Sequence, residues 1–168
     1  NAKTKNFTWT SSFNIAFNNN KILELNDGQE SMISYINWDN KYRTMPAYIS
    51  KKGEAAGKMY GFVYDGTYKY DDFNTSTDAN GNTTYKLKDN VPRIANNVQP
   101  GDPKYKKLTN DGTNKITDAD RTAIGNGHPK HTGGFNNNFT YKNWDLNIFM
   151  QWSYGNDILN ANRMIFEN

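Results

Sequence analysis

Hydrophobic and polar residues alternate most clearly in a stretch near the end of the chain. Leu146, Ile148, Met150, Trp152 and Tyr154 share one parity, and Asp145, Asn147, Phe149, Gln151 and Ser153 share the other. Such alternation predicts a β-strand with one apolar face and one largely polar face. About ten residues with aromatic side chains near the ends also suit a strand that crosses a bilayer, with lipid on one face and a polar lumen on the other.

Two further runs show the same period. Phe7, Trp9, Phe13, Ile15 and Phe17 share a parity near the start, and Phe135, Asn137, Phe139 and Tyr141 precede the stretch described above. Asn18–Asn20 predicts a tight polar turn, because Asn tolerates left-handed backbone angles, and Lys21–Leu25 then predicts a return strand. Together the runs predict two membrane hairpins.

The residues between these hairpins lose the membrane-strand pattern, and they are too many for a simple loop. Tyr60–Tyr68 predicts two strands joined by an Asp-Gly turn, and Asp78–Asn82 predicts a second turn with Asn-Gly at its centre. Thr117–Gly125 predicts a short helix with Thr117 as its N-cap. The expected division is a barrel hairpin at 1–26, an extracellular loop region with small β structure and a short helix at 27–132, and a barrel hairpin with the start of the next outer loop at 133–168.

Composition supports this organisation. Of the 168 residues, 35% are hydrophobic and 14% aromatic, which favours short strands and polar loops over helices. The predicted fold class is therefore all-β, with antiparallel hairpins of a large transmembrane β-barrel and a long extracellular loop insertion. Four membrane strands cannot close a barrel, since the smallest need about eight, so we expect the chain to be a fragment. The net charge of +3 is scattered, which argues against nucleic acid as a partner.

An acidic loop is the candidate metal site, with Asp111, Asp118 and Asp120 as candidate ligands. If Gly112 takes the sixth position of a calcium loop, Lys107 and Thr109 take the first and third, where carboxylate or amide oxygens are expected, and Ile116 comes two residues late. These departures favour an Asp-Gly turn before an acidic helix start, without a cofactor, over Ca²⁺.

The sequence gives little support for a zinc site or for a catalytic site. His128 and His131 lack a neighbouring ligand that would complete a zinc set, so we expect exposed loop histidines. No arrangement of nucleophile, base or phosphate loop is present, and we predict no enzyme activity.

Aromatic residues are dense in the predicted outer segment, where a flat ring with a polar edge can stack on a sugar or a peptide. We expect most of these rings to pack the segment's own core. Trp38 and Tyr42 are the candidate substrate-binding residues. Trp9, Trp144 and Trp152 are expected in the aromatic belts at the membrane interfaces.

Several motifs resemble those of a known family, the SusC/RagA-like TonB-dependent transporters of the Bacteroidetes outer membrane. They lie in Gly53–Phe73, in Pro100–Asp157 and in the tail Ile158–Arg163. The last two are the specific ones, because they resemble the family's pattern of Pro-Gly-Asp, a Gly-containing acidic loop, Asp-Arg-x-x-Ile-Gly, Gly-Gly-Phe and a Gln-Trp-x-Tyr-Gly-Asn-Asp strand end. The resemblance spans most of the chain but only a late part of a family member.

The resemblance implies an outer-membrane transporter that imports oligosaccharides or peptides. Its partners would be a SusD-like surface lipoprotein as a lid, the surrounding lipid, and TonB through a plug that this chain does not contain. The alternative is a soluble all-β carbohydrate-binding or adhesion module in which the strands pack as a sandwich. The two hypotheses differ in whether the apolar strand faces meet lipid or each other.

Overall fold

The computed structural model describes residues 1–37, 40 and 44–166 of the chain. By their contacts, residues 1–59 with 125–168 form one compact unit, and residues 60–124 form another. The elements are β1 (Ala2–Lys3), β2 (Phe7–Phe17), β3 (Ser31–Tyr35), β4 (Pro46–Lys51), β5 (Lys58–Gly61), β6 (Tyr64–Thr67), β7 (Phe73–Thr77), β8 (Thr83–Leu87), β9 (Pro103–Tyr105), β10 (Thr122–Asn126), β11 (His131–Tyr141), β12 (Trp144–Tyr154) and α1 (Ala161–Phe166).

The longest strands form one open sheet with the order β1-β2-β11-β12. β2, β11 and β12 have 11 residues each, and both pairs that β11 makes are antiparallel and in register over the full length. At about 3.3 Å per residue each strand reaches about 36 Å, which exceeds the roughly 30 Å hydrocarbon core of a bilayer. Lys142 and Asn143 join β11 to β12, and Lys142 has a φ of 52°. The predicted hairpin is therefore confirmed, as is the all-β antiparallel fold class.

The return strand predicted at Lys21–Leu25 is wrong. These residues lie outside the strands, where the Ile22 N–H donates to the Glu54 carbonyl at 2.9 Å and the Gly53 N–H donates to the Ile22 carbonyl at 2.8 Å. β2 pairs with β1 and, along its whole length, with β11. β11 pairs with all eleven residues of β2 and matches its two faces. The five residues Lys21–Leu25 are too few to pair with the whole of β2, and Leu23 is exposed. The predicted division at residues 26 and 132 concerns the membrane boundary and stays a prediction.

A second sheet has the order β10-β5-β4-β3. β3 and β4 pair from Ser31 with Lys51 to Tyr35 with Pro46, and a register shift follows Ser34. Ile36 and Ala47 form a small buried cluster beside this pair. Among the described residues, no helix has the length and apolar character needed to cross a membrane.

The unit at 60–124 has its own hydrophobic core. Its buried residues are Tyr68, Phe73, Leu87, Val91 and Val98. β7 and β8 pair around the turn at Asp78–Asn82, as predicted, and the Asp78 carboxylate accepts hydrogen bonds from the N–H groups of Asn80 and Asn82.

The hairpin predicted at Tyr60–Tyr68 is wrong. Asp65 and Gly66 lie inside β6, which pairs with β9 and shifts register between Tyr64 and Thr67. Gly66 has a φ of 88°, so the Asp-Gly pair forms an irregularity within a strand in place of a turn between strands.

The helix predicted at Thr117–Gly125 is reduced to one 3₁₀ turn at Asp118–Asp120. The predicted start is correct, because the Thr117 N–H donates to the Asp120 carboxylate at 2.8 Å. The predicted end is wrong, because Thr122–Asn126 forms β10. Pairing with β5 satisfies the backbone of this segment, and a helix of this length is marginal without tertiary support.

Candidate functional sites

The sheet of β2, β11 and β12 places nearly all of its large apolar side chains on one side, which we call the apolar face. This face comprises Phe7, Trp9, Phe13, Ile15 and Phe17 of β2, Phe135, Phe139 and Tyr141 of β11, and Trp144, Leu146, Ile148, Met150, Trp152 and Tyr154 of β12. Its central row runs from Phe13 through Phe135 to Met150, and Phe13 and Met150 remain 62% and 54% exposed. A contiguous apolar surface of this kind marks a contact with a partner or a membrane.

Two polar side chains on the apolar face are satisfied within it. Asn137 is buried, and its Oδ1 accepts a hydrogen bond from Trp9 Nε1 at 2.9 Å. His131 Nδ1 accepts one from Trp152 Nε1 at 3.1 Å. Each indole therefore covers a polar group with a ring, which suits a face that meets an apolar environment.

Gly133 makes room for one of these indoles. A Cβ atom at this position would lie 2.1 Å from the Trp152 ring and 2.7 Å from the Asn14 carbonyl oxygen. Trp152 thus lies across β11, where it also stacks on Phe13 with 5.6 Å between the ring centroids.

The opposite side of the same sheet, which we call the polar face, has a different chemistry. It consists of Thr8, Thr10, Ser12 and Asn14 of β2, Thr132, Asn136, Asn138 and Thr140 of β11, and Asp145, Asn147, Gln151 and Ser153 of β12. Asn147 Nδ2 donates to the side-chain oxygens of Asn136, at 3.0 Å, and of Asn138. Phe149 is the one large apolar side chain that these three strands place on this face. The polar face offers hydroxyl and amide groups to water or to a polar solute.

The aromatic residues predicted as ligand contacts, Trp38 and Tyr42, lie outside the described residues. Some aromatic residues of the outer segment pack inside it, as expected. Tyr68 is buried, its hydroxyl donates to the Pro92 carbonyl at 2.7 Å, and burial raises its pKa above the usual value. His131 differs from the expectation of an exposed loop histidine, because it begins β11 and is half-buried there. Its shared parity with Phe135 was the signal that could have placed it.

The predicted metal ligands are divided between two partners. Asp118 is exposed and its carboxylate accepts from Arg121 Nε at 2.9 Å. Asp111 and Asp120 both contact the ammonium of Lys107, at 2.8 Å and 3.2 Å. In the part of the chain that the structure describes, no three His, Cys, Asp or Glu side chains are placed to hold a metal ion together.

Asp120 is the most enclosed charged group of this loop. It is fully buried, and its carboxylate accepts from the N–H groups of Leu108, Thr109 and Thr117 at 2.8 to 2.9 Å. Burial alone would raise its pKa, but the hydrogen bonds from these groups and from the Thr109 hydroxyl hold the pKa well below its usual range. The carboxylate is therefore ionised and organises the backbone around it.

Lys107 is the residue of this site that the sequence did not single out as functional. Its hydrogen bond with Asp111 raises its pKa, and the same bond, together with those from Thr113, lowers the pKa of Asp111 to about 2. Both groups are charged at neutral pH. The signal was present, since a lysine at the first position of a calcium-type loop brings its own positive charge.

A separate cleft opens within the unit at 60–124. It has a volume of about 290 Å³, and the residues that line it include Tyr85, Asp89, Arg93, Asn97 and Gln99. An aromatic ring beside amide and charged groups is a surface that polar organic molecules can contact.

The sequence of this chain is similar to parts of three known proteins. No family profile matches the chain. Three curated proteins of Formosa agariphila are similar to it: TonB-dependent receptor P3 is 34% identical over 160 residues, P39 is 32% identical over 174, and P26 is 28% identical over 162. The aligned regions cover 93 to 95% of this chain but only 14 to 16% of each relative. The chain is thus a relative of the TonB-dependent receptors and corresponds to about one seventh of the length of such a protein.

Proposed function

We propose that this chain forms part of the barrel wall of an outer-membrane TonB-dependent transporter of the SusC/RagA type. The observation that carries the proposal is the pair of opposite faces on β2, β11 and β12, each formed by strands long enough to cross a bilayer. The apolar face would meet lipid, and the polar face would line a water-filled lumen.

The aromatic residues at both ends of the apolar face support this assignment. Phe7, Tyr141 and Trp144 share a row at one end, and Phe17, His131 and Tyr154 share a row at the other. Aromatic side chains at both interfaces are typical of strands in membrane barrels. A sandwich module would instead bury the central rows of the face against a second sheet.

Cysteine labelling tests the orientation. The chain has no Cys, so Ile148→Cys and Asn147→Cys each introduce one thiol into this segment. In the full-length protein in outer-membrane vesicles, the thiol at 148 should react slowly with an aqueous maleimide and, once labelled with a fluorophore, should be quenched by a lipid-phase quencher. The thiol at 147 should react readily and resist that quencher. Equal behaviour of the two thiols, or burial of position 148 from both phases, would favour the sandwich module.

Import of oligosaccharides or peptides is the activity that we propose for the whole protein. The hydroxyl and amide groups of the polar face and the cleft beside Tyr85 are compatible with such polar cargo, and we assign ligand contact to Trp38 and Tyr42. Replacing either aromatic residue by Ala should slow growth on the transported oligosaccharide or peptide as sole carbon source. Surface levels of the protein must match the parent strain, and unchanged growth of both variants would contradict the assignment.

Two partners follow from the family resemblance. A SusD-like lipoprotein would cover the outer mouth, and TonB would transmit energy through a plug supplied by another part of the protein. Purification of the receptor from outer membranes in mild detergent should recover the lipoprotein in stoichiometric amount. Deletion of TonB should abolish uptake but leave this assembly intact. Uptake that continues without TonB would reject the energised mechanism.

A further inference from the structure

The ammonium of Lys107 is surrounded by oxygen atoms from a single loop. Its Nζ lies 2.7 Å from Thr109 Oγ1, 2.8 Å from Asp111 Oδ2, 2.9 Å from the Lys115 carbonyl oxygen and 3.2 Å from Asp120 Oδ2. The Lys107 side chain is only 10% exposed. A largely enclosed ammonium with four oxygen neighbours resembles a cation in a coordination shell.

The order of these oxygens along the chain is that of a calcium loop. Such a loop takes ligands from its first, third and fifth positions, from a backbone carbonyl at the seventh and from a carboxylate at the twelfth. With Gly112 at the sixth position, Thr109 and Asp111 occupy the third and fifth. Both residues supply their oxygens to Lys107, as they would to an ion.

The remaining two oxygen ligands each stand two positions later than in a calcium loop. The carbonyl of Lys115 stands at position nine where seven is expected, and the carboxylate of Asp120 stands at fourteen where twelve is expected. Ile116, which is buried, is displaced by the same two residues. One insertion of two residues after Gly112 accounts for all three shifts, so the four oxygens keep the order of the third, fifth, seventh and twelfth ligands of a calcium loop.

That first position decides which cation the loop holds. A calcium loop places a carboxylate there, whereas this chain places Lys107, whose ammonium reaches the centre of the oxygen cluster. Calcium lies 2.3–2.6 Å from its oxygen ligands, and the ammonium already occupies that space at hydrogen-bond distances. The loop therefore does not fit a resident calcium ion.

We propose that the Lys107 ammonium is the built-in cation of this loop, which is ordered without a divalent metal, and that replacing Lys107 by a carboxylate opens a site for Ca²⁺. The loop then responds neither to calcium nor to a chelator in the parent protein. This inference depends only on the unit at 60–124 and is independent of the transported ligand.

The test compares four forms of the full-length protein in detergent: the parent, Lys107→Met, Lys107→Asp and the control Lys106→Ala. Met keeps most of the length of the side chain without its charge, and Lys106 is an exposed neighbour whose ion pair with Asp65 is 3.8 Å long. Protease cleavage within residues 104–120 is timed in EDTA and in excess CaCl₂, and calcium binding is measured by equilibrium dialysis. Calcium bound elsewhere cancels in the difference from the parent.

We expect the parent and Lys106→Ala to be cleaved equally slowly in both media and Lys107→Met to be cleaved faster in both. Lys107→Asp should be cleaved fast in EDTA and bind one additional calcium ion. Its cleavage should slow about 100-fold when free calcium is 100 times the dissociation constant. Faster cleavage of the parent in EDTA, or Lys107→Met as resistant as the control, would overturn the proposal. Failure of Lys107→Asp to bind calcium would show that the ammonium does not stand at an ion position.

Discussion

The sheet of β2, β11 and β12 and the unit at 60–124 stabilise their structures by different means. The sheet has long strands in unbroken register, yet both of its faces remain largely uncovered, and Ile148, Phe149 and Met150 are all exposed. The unit at 60–124 has short strands and a small buried core around Tyr68. Its loop at residues 107–120 is stabilised by hydrogen bonds to the charged Asp120 carboxylate.

The difference indicates where each region finds its partners. The polar groups of the loop around Asp120 are paired within the unit, so substitutions there act through lost internal bonds. The apolar side chains of the sheet pack on one another but stay largely exposed, so a charge introduced there acts mainly through whatever covers the sheet from outside.

Removing the Asp120 carboxylate should have the largest effect. Asp120→Ala leaves three backbone N–H groups and the Lys107 ammonium without their buried acceptor, which should reduce the free energy of opening the loop by about 3–5 kcal/mol. Hydrogen exchange at the Leu108 and Thr109 amides measures this energy. Asp118→Asn is the matched control, because its exposed ion pair with Arg121 should contribute less than about 1 kcal/mol. Equal exchange in the two variants would show that burial does not set the strength of this network.

A charge on the apolar face should be the next most costly change. Met150→Lys points an ammonium to the same side as Phe13 and Phe135, and a lysine on the lipid side of a barrel costs about 2–4 kcal/mol near the midplane. Gln151→Lys, one residue on, points to the polar face and should be tolerated. Urea unfolding of the full-length protein in lipid vesicles measures the difference. Equal losses of stability would contradict the assignment of one face to lipid.

Gly133→Ala tests the packing of Trp152 within the sheet. The new methyl group would overlap the indole and crowd the Asn14 carbonyl, so overpacking should cost about 1–3 kcal/mol. At Gly134 the nearest atom to an added methyl is Asn14 Nδ2 at 3.2 Å, and Gly134→Ala should cost less. Unfolding in detergent ranks the two variants. The reverse order would show that Trp152 yields more easily than the Asn14 side chain.

Acid below about pH 3.8 should weaken the loop that contains Asp111. The pKa of Asp111 is lowered from 3.8 to about 2, chiefly by its hydrogen bond with Lys107, so its ionised form stabilises the folded loop. That contribution to stability is complete above about pH 3.8, and it is lost as the pH falls through about 2. Protease cleavage of the loop should therefore accelerate over this interval, and Asp111→Asn should flatten the dependence. An unchanged profile in the variant would assign the acid sensitivity to another group.

Local patterns identified the three long strands and some turns correctly. The period of two in β11 and β12 specified their faces, and the turn at Asp78–Asn82 follows from residues that accept its backbone angles. In the turn after β11 the left-handed φ of 52° falls on Lys142, a residue type that seldom adopts it. Local patterns were wrong for Lys21–Leu25 and for the Asp-Gly pair at residues 65 and 66. In both places the sequence predicted pairing with an adjacent segment, but the strand pairs with one farther along the chain: β2 pairs with β11, and β6 pairs with β9.

The sequence by itself determined which side chains share a face and which turns the backbone can make, because both depend on neighbours only a few residues apart. Tertiary structure decided that β2 lies beside β11 and that the Lys107 ammonium lies between the carboxylates of Asp111 and Asp120. Strand pairing over more than a hundred residues depends on the match of two complete faces. The direction in which the Lys107 side chain extends depends on the oxygens that the folded loop brings together. A local sequence pattern therefore predicts neither the strand pairing nor the position of this ammonium.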